Sequence, residues 1–324
     1  MTLQSTSEHT ELSFHYMRVN KKRETLLDFL VRRFRYLDGP AWLEAIQEGR
    51  LLVDWQMGQA SQILESNQQI TYRRPDFLEP PVDPWFEVLY EDECLIAVNK
   101  SGDLPTSPSG RYFKHTLVYL VRSHFGWPHL YTLHRLDRET SGVVAFAKSS
   151  EFAAQMGALF QTKQIQKRYV AILEGTLPCQ EVFVSTPIGN ALNTEIRIKQ
   201  GFNPDGKISA TYFIQLEHIG PYSKVEVRPL TGRTHQIRVH ASYLGAPVVG
   251  DKLYGLENDG FLKWKEEGAA YLQRKKLPLN RHLLHASELR FVHPITQQEI
   301  VIHAKEDILM KHVPSLLSGG PDAS

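Results

Sequence analysis

Apolar residues recur along the chain with two different periods, and the change of period divides it. Leu26, Leu27, Leu30, Val31 and Phe34 fall at helical spacing, with basic residues on the opposite face. A second helical stretch follows Asp38-Gly39-Pro40, carries Trp42, Leu43 and Ile46, and stops near Gly49, a natural helix terminator. Short strands are predicted at 51–53 and 69–72. The stretch 73–84 reads RRPDFLEPPVDP; four prolines in twelve residues disfavour helix and sheet alike and make a semi-rigid linker. Beyond it short strands dominate. Apolar runs at 86–90 and 95–99 flank an acidic turn, as in a hairpin, and 142–148 is small and apolar. Tyr169 alternates with Ala171 and Leu173, and Val225, Val227 and Pro229 share one side of a strand over 224–230. A helix over about 234–244 puts Ile237, Ala241 and Leu244 inward and ends at Gly245. The expected class is α+β: a small αα-ββ unit at 18–74, a linker at 75–84, and a larger domain at 85–317. Residues 1–17 read as a flexible leader and 318–324 as a flexible tail.

Composition narrows the class of protein. The chain has 324 residues, 42% hydrophobic and 23% charged, which is material for a sizeable core. No stretch approaches the roughly 18 apolar residues of a membrane span, and the N-terminus lacks the basic start and apolar block of a secretory signal. Cys94 and Cys179 are too few and too far apart for a disulfide framework or a thiolate metal site, so a reducing, cytoplasmic location is expected. His235 and His240 lie five apart with no third ligand at a convincing spacing; no metal is expected, and a monomer is the default. The net charge of +1 neither demands nor forbids a polyanionic partner, but the charge is unevenly spread. Residues 18–35 carry seven Lys/Arg (Arg18, Lys21, Lys22, Arg23, Arg32, Arg33, Arg35) against Glu24 and Asp28, whereas 76–93 carries seven acids and no base.

The candidate chemistry sits at 132–148, TLHRLDRETSGVVAFAK. The charged run from His134 to Glu139 cannot all be buried unpaired, so it forms a loop delivered to the end of the strand that follows. HRLDRETSG resembles the signature of the RluA-type pseudouridine synthases: His-Arg-Leu-Asp, two variable residues, then Thr-Ser-Gly. Four further segments resemble the same family in order: VNKSGDLPTSP at 98–108 (with Ser101 where proline is usual), KRYVAILEG at 167–175, RPLTGRTHQIRVHASYLGAPVVGDKLYG at 228–255 and LLHASELRFVHP at 283–294. The resemblance covers about 85–313 and implies a mixed, mostly antiparallel sheet with flanking helices around a central RNA cleft. It also implies an isomerase that converts uridine to pseudouridine in ribosomal or transfer RNA, with no cofactor.

By that resemblance Asp137 is catalytic, as nucleophile on the sugar or as a base taking a sugar proton. Tyr169 stacks on a flipped base, Arg233 is the ionic partner of the aspartate, and Arg135 enters the space that the base leaves. Ile237 is a candidate pocket wall, and His134, His235, Arg238 and His240 are candidate phosphate contacts. Each has a plainer alternative: a turn aspartate, a tyrosine at a sheet–core boundary, a surface ion pair, ordinary core. The basic first helix, with Lys21, Lys22, Arg23, Arg32 and Arg33, resembles the alpha-L RNA-binding motif of ribosomal proteins by pattern, against a solvated helix face. The competing readings are a non-catalytic RNA-binding protein on the same fold, a hydrolase using Ser141, and a metal enzyme using His282 and His285. The last two lack the Gly-x-Ser-x-Gly elbow and the helical zinc-pair spacing respectively.

Overall fold

Capping chemistry starts both helices of the first unit. Thr25 Oγ1 accepts from Asp28 N at 3.1 Å to open α1 (Leu26–Arg33), and Asp38 Oδ1 accepts from Ala41 N at 3.0 Å to open α2 (Gly39–Gln47), with Pro40 in its first turn. Gly49, at φ +71°, turns the chain out of α2. The computed structural model describes residues 9–16, 23–34, 37–75, 78–274 and 279–317. The chain divides into units Met1–Glu79 and Pro80–Ser324, and the division falls inside the proline-rich stretch.

The first unit packs α1 and α2 on a sheet ordered β1-β4-β2-β3, from β1 (His9–His15), β2 (Leu51–Val53), β3 (Gln56–Met57) and β4 (Gln69–Pro75). Phe29, Leu30, Trp42, Leu51 and Ile70 form its core. The leader reading of 1–17 needs correction here. His9–His15 is a strand antiparallel to β4, from His9↔Pro75 to His15↔Gln69, so the described residues of the unit form four strands rather than two. Its period-two pattern is short and polar; Phe14 and Tyr16 join the core by packing on Phe29 and, for Phe14, on Phe34. Residues 1–8 and 318–324 lie outside the described residues.

The second unit is α+β, as expected. Its strands are β5 (Phe86–Glu91), β6 (Leu95–Lys100), β7 (Tyr131–Thr132), β8 (Ser141–Ala147), β9 (Gln166–Glu174), β10 (Glu181–Asn190), β11 (Gln200–Phe202), β12 (Lys207–Ile219), β13 (Tyr222–Pro229), β14 (Leu284–Val292) and β15 (Glu299–His303). They form an 11-stranded sheet ordered β11-β10-β12-β13-β9-β14-β8-β6-β5, with β15 on β14 and β7 on β8. Its helices include α3 (Leu117–Phe125), α4 (Ser150–Gln161), α5 (Gln236–Tyr243) and α6 (Asn258–Glu267). The pairings are antiparallel except that of β8 with β14. β8 is buried along its whole length, so it reads as a continuous apolar run rather than an alternating one. The parallel pair needs Gly142, which stands at φ +110°, where a Cβ would come 2.2 Å from Ala286 O. No helix among the described residues is long and apolar enough to cross a membrane.

Candidate active site

The loop between β7 and β8 is held on both sides of Asp137. Thr106 Oγ1 donates to Leu136 O at 3.0 Å and accepts from Leu136 N at 3.1 Å. Lys100, fully buried, donates from Nζ to Arg138 O at 2.9 Å and Ser101 O at 2.7 Å; burial pushes its pKa well down. Ser101, where the family usually has proline, donates its hydroxyl to Asp83 O at 2.7 Å. The hydroxyls of Thr-Ser-Gly tie the loop to β14 and the segment before it: Thr140 Oγ1 lies 2.7 Å from His282 Nε2 and Ser141 Oγ 2.9 Å from His285 Nδ1. Ser141, His282 and His285 are buried, and Ser141 Oγ also accepts from Arg281 Nη2 at 2.9 Å.

Asp137 opens into a cleft of about 1250 Å³ that Tyr169, Ile237, Arg233, His235, Arg238 and Trp264 also line. The partner of its carboxylate is Arg238, not Arg233. Arg238 Nη1 donates to Asp137 Oδ2 at 2.7 Å, while its Nε and Nη2 form a fork on Asp251, at 2.6 Å to Oδ2 and 2.8 Å to Oδ1. Asp251 Oδ1 also accepts from Leu253 N and Tyr254 N, and the Tyr254 ring centroid lies 5.0 Å from the guanidinium carbon. Arg233 precedes α5 and turns away: its Nε donates to Ile208 O at 3.1 Å and its backbone N–H to Gln236 Oε1 at 3.0 Å. The resemblance assigned this role to Arg233 within a motif that also holds Arg238, and which of the two reaches Asp137 is set by the packing of α5, buried from Gln236 to Ala241. Asp251, Tyr254 and Lys252 were also missed; the only signal was polar residues in the Gly250–Gly255 run of the arginine motif.

Burial alone would raise the Asp137 carboxyl, but Arg238 and then His235 reverse this and hold it below the usual carboxylate range. Tyr169 is half-buried between two core clusters, and burial, then Asp137, raises its phenol. Ile237 is both core and cleft wall. His134 lines the cleft but is no cationic phosphate contact. Its Nε2 accepts from Ala145 N at 3.2 Å, and burial, then Lys167, lowers it to about 3. His240 sits among Thr211, Ser209 and Thr186 rather than at the cleft. Arg135 is exposed on the rim. Of the first-unit cations, Arg32 is engaged bidentately by Glu24 at 2.6 and 2.9 Å, Arg33 lies over Phe34 and Arg23 is exposed. Lys21 and Lys22 lie outside the described residues. Glu139 accepts from Lys252 Nζ at 2.7 Å and from His282 N at 3.1 Å, joining the loop to the turn that carries Asp251.

Comparison with known proteins meets this geometry from another side. Residues 94–243 match the RNA pseudouridylate synthase family. The chain is 36% identical over 233 residues to tRNA pseudouridine synthase C of Vibrio vulnificus, covering 68% of this chain and 91% of that protein. It is 34% identical over 235 residues to human pseudouridylate synthase RPUSD2, but spans only 42% of that protein's length, and 61% of the length of RNA pseudouridine synthase 7 of rice. The solved structure of human RNA pseudouridylate synthase domain containing 1 superposes with a TM-score of 0.55 at 27% identity, over 76% of this chain and all of that one. Sequence signature, superposition and relatives at this identity agree, and the chain belongs to the RNA pseudouridine synthase family.

Proposed function

We propose that this protein binds a structured RNA, ribosomal or transfer, and isomerises a uridine in it to pseudouridine, with Asp137 acting on the ribose of the flipped nucleotide. The observation that carries the reading is the asymmetry of the Asp137 carboxylate. Oδ2 holds the Arg238 guanidinium, while Oδ1 receives no hydrogen bond among the described residues and sits in a cleft walled by Tyr169 and Ile237. A carboxylate kept ionised on one oxygen and free on the other suits attack at the sugar, and equally removal of a sugar proton. The reaction breaks the bond from ribose to the base nitrogen, rotates the base and rejoins it through carbon. Its overall redox state is unchanged, so the proposed route needs no cofactor. A stacked uridine must leave its helix to reach Oδ1, and Tyr169 offers a flat wall against which its base can rest.

The test uses RNA carrying tritium at uridine carbon 5, exchanged only when that carbon is rejoined to the sugar. We expect the full chain to release tritium, and Asp137→Asn to release none while binding RNA with similar affinity. Binding without release by the unaltered chain would replace the isomerase with a non-catalytic RNA-binding protein. Loss of folding with Asp137→Asn would make Asp137 structural.

A further inference from the structure

His235 is strained into position for a reason that the Asp137–Arg238 pair does not explain. It stands at φ +56°, ψ +15°, the left-handed region that a non-glycine residue seldom adopts, immediately before α5. The strain turns its ring edge-on to Tyr254, with Nδ1 2.9 Å from the Tyr254 hydroxyl. That hydroxyl oxygen already accepts from Gln200 N at 3.0 Å, so the partner left for its own proton is His235 Nδ1. An imidazole that accepts at Nδ1 carries its proton at Nε2 when neutral. Nε2 in turn lies 3.9 Å from Asp137 Oδ2, the oxygen that Arg238 already holds.

We propose that His235 is a positioning residue for Asp137: Tyr254 locks its imidazole as the tautomer protonated at Nε2, and this N–H closes onto Oδ2 as the second donor when RNA fills the cleft. This rests on Asp137 being the reacting group. Catalytic hydrogen bonds are often long before substrate arrives and tighten in the complex. With Arg238 and His235 both on Oδ2, Oδ1 is left as the reacting oxygen. The same lock bars His235 from acting as a base, because the lone pair at Nδ1 is taken and Nε2 presents hydrogen. The groups that face the ring are Asp137 from the 134–140 loop, Arg238 on its own helix, Asp251 and Tyr254 from the turn after α5, and His282 from the segment before β14. Burial lowers the pKa of the ring, countered by Asp137 and reinforced by Arg238.

Two substitutions separate position from mere packing. In His235→Asn the backbone conformation is tolerated and the amide oxygen takes the place of Nδ1 against Tyr254, but nothing occupies Nε2. In His235→Gln the longer side chain carries an amide N–H to about that place. We expect His235→Asn to lower kcat roughly ten- to a hundred-fold, the range of a hydrogen bond to a charged group, with KM little changed. The acid limb of its pH profile should move to higher pH, since a carboxylate with one donor fewer is less acidic. His235→Gln should restore most of both. In the unaltered chain, ¹⁵N NMR of labelled histidine should place the proton on Nε2, and Tyr254→Phe should mix the tautomers. A proton on Nδ1, an imidazolium at neutral pH, or an unmoved acid limb in folded His235→Asn would each overturn the proposal. The ¹³C titration of the Asp137 carboxyl reads the same effect without turnover. A chain that binds RNA but releases no tritium would sink the isomerase reading, whereas an RNA-bound Asp137 that titrates no higher in folded His235→Asn would overturn the hydrogen bond itself.

Discussion

A carboxylate that must stay charged while half out of water needs a cation whose direction cannot drift, and Arg238 meets that need through Asp251. Two of its N–H groups are spent on a fully buried carboxylate, which itself accepts from two backbone N–H groups, and this fork fixes the guanidinium with Nη1 aimed at Asp137. Lysine at 238 would keep the charge but could not fork onto Asp251 and reach Asp137 together. We therefore expect Arg238→Lys to lower kcat by roughly ten- to a hundred-fold. Arg233→Lys, which loses only a bond to the Ile208 carbonyl, should leave kcat within a few-fold. Single-turnover kinetics at saturating RNA separate the two, and equal losses would contradict this assignment. The two arginines are five residues apart in one motif, and nothing in their spacing distinguishes them. The distinction is that one lies in a turn and the other on a helix buried from Gln236 to Ala241.

At the scale of elements, the site depends on one pairing of remote strands. β8 and β14 run parallel, Ser141 opposite His285 and Gly142 opposite Ala286, and this brings the closing segment against the loop that carries Asp137. Alanine at 142 would set a Cβ 2.2 Å from the Ala286 carbonyl oxygen at a φ of +110°, so either the strands part or the backbone rearranges. A cost of about 3–5 kcal/mol is expected, which is a fall in Tm of roughly 10 °C for a domain of this size, and thermal unfolding of Gly142→Ala checks it. A small change in Tm would mean that the register is held by the hydroxyl–histidine bonds alone. Thr140 and Ser141 were legible as turn hydroxyls and Gly142 as a permissive residue. Their partners, His282 and His285, are more than 140 residues away, and no local pattern reports such a bond.

For the whole molecule, the same buried polar knots set its tolerance of acid. His240 and His285 are fully buried, and burial lowers each to about 4. In the unfolded chain a histidine takes a proton near pH ~6.5. Because the folded values are lower, the stability from keeping these rings neutral is complete above that pH. It declines as pH falls towards about 4, the unfolded state binding more protons throughout that window. We expect Tm to drop steadily across it, and a flat Tm there would contradict the neutral assignment. What the sequence determined by itself was whatever local period and short-range chemistry encode: α1, α2, the hairpin of β5 and β6, the alternating strands, and the motif that places Asp137 in the loop before β8. Tertiary structure alone decided what depends on partners distant in the chain. It turned part of the leader into β1, gave Asp137 its cation, spent the Thr-Ser hydroxyls on histidines, and aimed His235 through Tyr254. The physical reason is that burial reverses a polar residue's preference. On the surface Arg238 and His235 would face water; buried at the cleft wall, Arg238 is aimed at Asp137 and Asp251, and His235 at Tyr254, by the groups packed around them.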